Sequence, residues 1–434
     1  MTQELIQHFS EEVEKCVLCG ACQAVCPVYA ERLDEKQVAR GRMALLRTVL
    51  SGELPLTDEL NEIVATCIGC KACSAHCPKG AASDLANLAA KITLAGEKGL
   101  PFYRKILARQ IFSKPGILSA SSRLLHVMGT KIYTPLAGIP FMHPALPYIR
   151  NGTPRSIPPL GKPSFREGNH TNHLQSEPRG RVALFYGCAV DQIYPAWGES
   201  AIRILNRAGF EVIIPREQAC CGAPLIFMGD LTSAEKMVET NLHALNMKDL
   251  DAVITLCATC GSTLKELYPR FFERDGIEEV SSKIMDLQEF LIAHSLPIEM
   301  EDRDRKPLKV TYHDPCHLKR GMGVHEEPRQ ILQSLPGVQF IEMKDADRCC
   351  GGGGLFSLSH YDLALKIGRH KVERIRESGA EVVATACPSC SIHLADLLHR
   401  EDLNIPVVHV CELLGRSLEQ PESQEPLISG TKKS

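Results

Sequence analysis

Eighteen of the nineteen cysteines fall into two spacing patterns, and each pattern occurs twice. Cys16, Cys19, Cys22 and Cys26 make a C-x₂-C-x₂-C-x₃-C-P run ending at Pro27; Cys67, Cys70, Cys73 and Cys77 make another ending at Pro78. Such short spacing lets one turn of backbone set three thiolates around one cluster, while the fourth points away to a neighbouring one. The expected sets are therefore Cys16, Cys19, Cys22 and Cys77 around one [4Fe–4S] cubane, and Cys67, Cys70, Cys73 and Cys26 around the other. The prolines would turn the chain after the last ligand, since proline fixes φ and has no N–H. Zinc also takes C-x₂-C pairs, but it needs four ligands, usually as two pairs, and four-cysteine runs ending in C-P fit cubanes better.

The second pattern is one cysteine, then an adjacent pair, then C-x₂-C. It takes in Cys188, Cys220, Cys221, Cys257 and Cys260, and again Cys316, Cys349, Cys350, Cys387 and Cys390. Cys188 and Cys316 lie 128 residues apart, Cys220 and Cys349 129, and Cys257 and Cys387 130, which marks an internal duplication. The lone cysteine and the C-x₂-C of each copy follow segments that read as strands. Ligands in open α/β sheets gather at the carboxyl ends of strands, so each set is expected to converge on one point. Five soft thiolates exceed a tetrahedral site and suit a multi-iron cluster with bridging sulfurs.

The elements that must position these thiols divide the chain. Residues 1–133 read as helical, with apolar residues at helical spacing in Lys36–Leu50 and Ser83–Ala95 around the cysteine runs. Residues 134–180 carry nine prolines and read as an extended linker. Residues 181–306 alternate strands (RVALFYG, EVIIP, DAVITLC) with helices, residues 307–420 repeat that order (LKVTYHD, VQFIEM, EVVATAC), and 421–434 form a polar tail. The expected fold class is α + α/β: an all-helical two-cluster domain, then a duplicated α/β domain with mostly parallel sheets. With 44% hydrophobic and 23% charged residues the 434-residue chain has a globular composition, and a net charge of −3 gives no footprint for nucleic acid. The polar, acidic start lacks the form of a secretion signal, and no apolar run approaches the roughly 18 residues of a transmembrane helix. The expected location is the cytoplasm, free or held peripherally at the cytoplasmic membrane by partners. There, cysteines are reduced and metal-ligating rather than disulfide-bonded.

The spacing C-x₃₁-C-C-G-x₃₄-C-x₂-C resembles the cysteine-rich (CCG) domains of heterodisulfide reductase subunits. Such domains also occur in iron–sulfur subunits of glycolate oxidase, D-lactate dehydrogenase and anaerobic glycerol-3-phosphate dehydrogenase. The forty residues between Cys26 and Cys67 resemble the helical ferredoxin domains of respiratory iron–sulfur subunits. The whole order, with Ala39-Arg40-Gly41-Arg42, Leu45, Leu46, Tyr186-Gly187-Cys188 and Cys220-Cys221-Gly222, is most similar to the glycolate oxidase iron–sulfur subunit. The second copy departs from it: His313-Asp314-Pro315-Cys316-His317 and Cys387-Pro388-Ser389-Cys390 look more like lactate-utilisation and heterodisulfide reductase relatives.

The resemblance implies two cubanes plus one or two noncubane [4Fe–4S] clusters in the CCG domains. It implies an electron-transfer subunit of a flavin-dependent glycolate or D-lactate dehydrogenase, with no catalytic residue of its own. The partners would be an FAD-binding subunit and a downstream quinone or other acceptor, neither oxygen nor NAD. No G-x-G-x-x-G fingerprint gives the chain a dinucleotide of its own. Three alternatives stand beside this: disulfide cleavage at a CCG cluster, the glycerol-3-phosphate complex, and zinc as a structural tie.

Other residues carry weaker signals. Gly351–Gly354 lacks the rest of a phosphate loop and is expected to bring backbone N–H groups to cluster sulfurs. His313 and His317 flank Cys316, as strand-end caps or as groups that tune a cluster. Cys411 has no counterpart in either repeat and reads as a buried structural thiol. Arg40 and Arg42 either raise cluster potentials or form an exposed basic face, and Ile117–Pro147 is either core or a docking surface.

Overall fold

A computed structural model describes residues 9–100, 163–174, 177–294 and 307–418, together with 149–150, 153–154 and 158. The segment 117–147 and the tail 421–434 lie outside the described residues.

The N-terminal region is a set of short helices threaded by the cysteine runs. Cys26 is the N-cap of Pro27–Arg32, its sulfur accepting the Tyr29 N–H at 3.5 Å. Pro27 thus opens a helix, where its missing N–H costs nothing, whereas Pro78 does lie in a turn. Ala39–Leu50 follows, then Asp58–Ala65, which Thr57 caps through the Leu60 N–H at 3.1 Å and whose first turn carries Asp58 and Glu59. Ser83–Lys98 closes the region and buries an almost continuous surface, from Leu85 to Leu94.

Each repeat is a four-stranded parallel sheet. The first contains β1 (Gly180–Phe185), β2 (Phe210–Ile213), β3 (Ala252–Thr255) and β4 (Ile284–Asp286), in the order β2-β1-β3-β4. The second contains β5 (Leu308–Tyr312), β6 (Val338–Phe340), β7 (Val382–Thr385) and β8 (Val407–His409), in the corresponding order β6-β5-β7-β8. Register repeats as well: Val182 pairs with Ala252, and Val310 with Val382. Every residue of β3 and β7 is buried, as expected of central strands covered on both faces.

The copies share one apolar core. Trp197, Val182 and Phe290 from the first lie with Val310, Val410 and Leu414 from the second. The last helix, Val410–Ser417, packs on Pro195–Arg207, and His409 Nε2 lies 3.1 Å from the Leu256 carbonyl. The linker assignment needs a correction at its C-terminal end. Phe165 is 1% exposed and packs against Tyr186, while Asn172 exchanges two hydrogen bonds with the Val212 backbone. Proline content marked this stretch as irregular, but its side chains belong to the first repeat.

Candidate metal centre

The two ferredoxin-type runs share a backbone form. Left-handed residues stand at Leu18 and Gly20 in the first and at the equivalent Gly69 and Lys71 in the second. Wrapping a chain around one point needs such turns, and a non-glycine residue held there stores strain of about 1–3 kcal/mol. The turns Ala21–Gln23 and Ala72–Ala75 pack on each other and set the runs face to face. Burial pushes the Cys26 thiol up to about 11, against the Tyr29 N–H and the Arg42 charge, with Cys70 and Cys67 as its nearest thiols. Burial also raises Cys22, beside Cys16, and raises Cys73, beside Cys67. Cys19 is exposed, and Cys77 accepts the Ala81 N–H at 3.4 Å.

The second pattern converges as its spacing requires. In the first repeat Cys188 and Cys220 sulfurs lie 3.7 Å apart, and the Cys260 N–H reaches Cys257 Sγ at 3.4 Å. Cys221 is held low, at about 6, by the Cys220 and Cys260 thiols. In the second repeat Cys350 is held low in the same way by Cys349 and Cys390, and Cys316 lies against Cys349. The glycine run does what its position suggests: the Gly351 N–H meets Cys349 Sγ at 3.4 Å, and the Gly352 N–H serves Cys350.

The sets also touch one another. Cys70 of the second run packs in one buried cluster with Cys349, and that thiol together with burial pushes the Cys70 thiol well up. Cys257 and Cys387 share one buried core across the repeats, and the Cys257 thiol is the main influence holding Cys387 low. Protons shared among crowded, buried thiols are what a metal displaces when it binds. Soft sulfur donors, little solvent, and backbone N–H groups aimed at sulfur together fit iron–sulfur clusters.

The two flanking histidines differ. His317 stacks parallel to Phe227, and its ring nitrogens lie 3.2 Å from Thr259 Oγ1 and 3.1 Å from the Gly69 carbonyl. The carbonyl can only accept, so Nε2 carries the proton and Nδ1 accepts from Thr259. His317 thereby ties the helical domain to both repeats. His313 is 1% exposed, and burial lowers its pKa to about 3.

Arg42 is 4% exposed and bonded to Ile63 O and Thr66 Oγ1, so it is no exposed basic face; its charge bears on Cys26. Arg40 pairs with Glu35 at 2.7 Å. Cys411 is fully buried, with its sulfur 3.8 Å from the Trp197 carbonyl. Sequence reading missed Lys371, which is 1% exposed and bonds the carbonyls of Asp345 and Ala346 ahead of Cys349. The signal was there: Lys371 falls on the apolar stripe of Ala364, Ile367 and Ile375.

Comparison with known proteins agrees with this geometry. The family described as cysteine-rich domain matches residues 182–265 and 310–395, and the 4Fe-4S dicluster domain family matches 12–81. The probable glycolate oxidase iron-sulfur subunit of Bacillus subtilis is 29% identical, over 93% of this chain and 93% of its own length. Lactate utilization protein A of an Exiguobacterium species is 30% identical, over 55% of this chain and 98% of its own length. One of the subunits of the fumarate reductase (CoM/CoB) of Methanothermobacter marburgensis is 40% identical over 63% of this chain, which spans only 52% of that relative. Among the described residues no helix is long and apolar enough to cross a membrane. The cofactors are iron–sulfur clusters, and the chain belongs to the family of cysteine-rich-domain iron–sulfur proteins that includes glycolate oxidase iron–sulfur subunits and lactate utilization protein A.

Proposed function

We propose that the protein is the electron-transfer subunit of a flavin-dependent 2-hydroxyacid dehydrogenase, acting on glycolate or D-lactate in the cytoplasm or at the inner face of its membrane. Cys16, Cys19, Cys22 and Cys77 hold one cubane, and Cys67, Cys70, Cys73 and Cys26 the other. Each five-cysteine set holds a further cluster. When bound, these clusters accept and release electrons one at a time.

The observation that carries this reading is the unbroken succession of thiol sets. Cys26, Cys70, Cys316 and Cys349 pack in one cluster, and Cys257, Cys260, Cys350, Cys387 and Cys390 share one buried core. The residues around them do the rest: they bury most of the sulfurs, meet Cys26, Cys77, Cys257 and Cys349 with backbone N–H groups, and place Arg42 and Lys371 as buried positive charge. An FAD-binding subunit would supply the electrons and a quinone or another acceptor would take them. The full-length likeness to a glycolate oxidase iron–sulfur subunit supports the substrate class.

The test is anaerobic mixing of iron-loaded protein with its native flavoprotein and a 2-hydroxyacid. The visible iron–sulfur absorption should bleach only when all three are present. Native protein that never co-purifies with a flavoprotein, and clusters that no 2-hydroxyacid reduces, would overturn the reading. The shared burial of Cys257 and Cys387, thiols from different repeats, favours a second reading, cleavage of a disulfide substrate between the repeats. Turnover of thiol–disulfide pairs by the reduced protein alone would select it.

A further inference from the structure

His313 follows β5, where its backbone N–H bonds Ala384 O at 2.9 Å and its carbonyl accepts from Thr385 Oγ1 at 3.1 Å. The backbone is thus pinned and the ring has one direction to take. It points at the second five-cysteine set: a ring nitrogen and the sulfurs of Cys350 and Cys390 all lie within 4.8 Å of one another. Neither ring nitrogen has a hydrogen-bond partner, although the residue is 1% exposed. The Ala346 carbonyl nearby is already taken, by Lys371 Nζ at 3.0 Å and by the Asp314 N–H at 3.1 Å. A buried imidazole with two idle nitrogens calls for a reason.

The duplication isolates that reason. Counting back from Cys188 as from Cys316, the position of His313 is held in the first repeat by Phe185. Phe185 is buried, and its ring lies near Gly187, whose built Cβ would sit 3.1 Å from Cys260 Sγ, the counterpart of Cys390. An apolar ring therefore fills this place adequately where five cysteines act alone. His317, by contrast, has both nitrogens engaged elsewhere.

We propose that His313 is a nitrogen ligand of the metal centre in the second cysteine-rich repeat, alongside Cys350 and Cys390, making the two repeats' centres chemically unequal. This rests on the reading of that repeat as an iron–sulfur site. A neutral imidazole added to a thiolate-rich centre adds no negative charge and gives one iron a nitrogen donor that the first centre lacks.

Mössbauer spectroscopy of ⁵⁷Fe-loaded full-length protein tests this, since it reads every iron whatever its spin. In His313→Phe, which copies the first repeat, one iron subsite should change its isomer shift and quadrupole splitting at unchanged iron content. Identical spectra at equal iron content overturn the ligand role and leave the iron–sulfur reading standing. Absence of iron beyond the two cubanes in the unsubstituted protein overturns both. If His313→Phe does not fold, unsubstituted protein carrying ¹⁵N-histidine decides. A one-electron centre has an odd electron count in one of its two states, and that state should show histidine nitrogen hyperfine coupling; no coupling overturns the proposal.

Discussion

The two cysteine-rich repeats keep the same sheet order, register and thiol spacing, yet they differ in the residues just behind the thiols. Where the first has Phe185 and Tyr186, the second has His313 and Asp314. The helices after the paired cysteines diverge likewise. Asn241 clamps the first loop through Ala219 N–H and Cys220 O, while Lys371 clamps the second through two carbonyls. At these matching positions the first copy has the uncharged Tyr186 and Asn241; the second has the charged Asp314 and Lys371. The second meets the helical domain through its thiols, Cys349 packing in one buried cluster with Cys70. Duplication preserved what grips metal and let drift what tunes it, so the difference should be read in potentials and stability rather than in topology.

The largest effect should come from the thiols. Cys220→Ser and Cys349→Ser should each lower iron content by about four atoms, the complement of one cluster. They should differ in reach. Cys349→Ser should also alter the electron paramagnetic resonance signal of the reduced cubane proposed for Cys70, and Cys220→Ser should leave that signal unchanged. If both leave it unchanged, or both alter it, the repeats are not placed in series.

Next in size is the buried ion pair of Arg329 with Asp314, which the matching Tyr186 of the first copy cannot make. Arg329 grips Asp314 through two bonds of 2.9 and 2.8 Å, and Asp314 is 1% exposed. Arg329→Gln strands a buried carboxylate and should cost about 3–5 kcal/mol in denaturant unfolding of the metal-free protein. The matching position in the first copy is Tyr186, over whose ring Arg166 lies at 5.7 Å. Arg166 also bonds the Gln218 carbonyl at 2.7 Å and lies 3.7 Å from the buried Asp191 carboxylate. Asp191 keeps its bonds from the Arg166 backbone N–H and the Gln192 amide, so Arg166→Gln should cost less, about 1–3 kcal/mol. Lys371→Asn, which gives the second copy the first copy's clamp, should lower the potential of the second centre in a redox titration, because a positive charge beside Cys349 and Cys350 is lost.

Much of this was legible in the residues, for physical reasons. Ligand spacing is local chemistry, so the cysteine sets and the duplication are written in the chain itself. The central strands β3 and β7 are uniformly apolar and announce themselves. The fourth strands, Ile284–Asp286 and Val407–His409, are three residues each, too short for any period to show. Phe165 could not be assigned because its partner Tyr186 lies beyond the proline-rich stretch, and composition carries no information on which distant ring a side chain meets. The contrast between His313 and His317 is likewise invisible: both flank Cys316, and only the fold engages one ring and leaves the other idle. Buried Arg42 reads as a surface residue until the carbonyl of Ile63 is brought beside it.

The smallest effect should fall on the nineteenth cysteine, and it bears on the same comparison. Cys411 has no counterpart in the first repeat's set, yet it lies where the copies join, between the last helix and Trp197. Burial raises its thiol well above the ordinary value, which leaves it a proton-bearing apolar group and a weak donor to the Trp197 carbonyl. Cys411→Ala removes one sulfur from a packed site and should cost about 1 kcal/mol, near the centre of the range for single substitutions. Iron content, visible absorption and both centres' potentials should stay as they were. Loss of iron in this variant would mean that a thiol from the seam between the copies takes part in holding metal, and the repeats would then share a centre where two have been assigned.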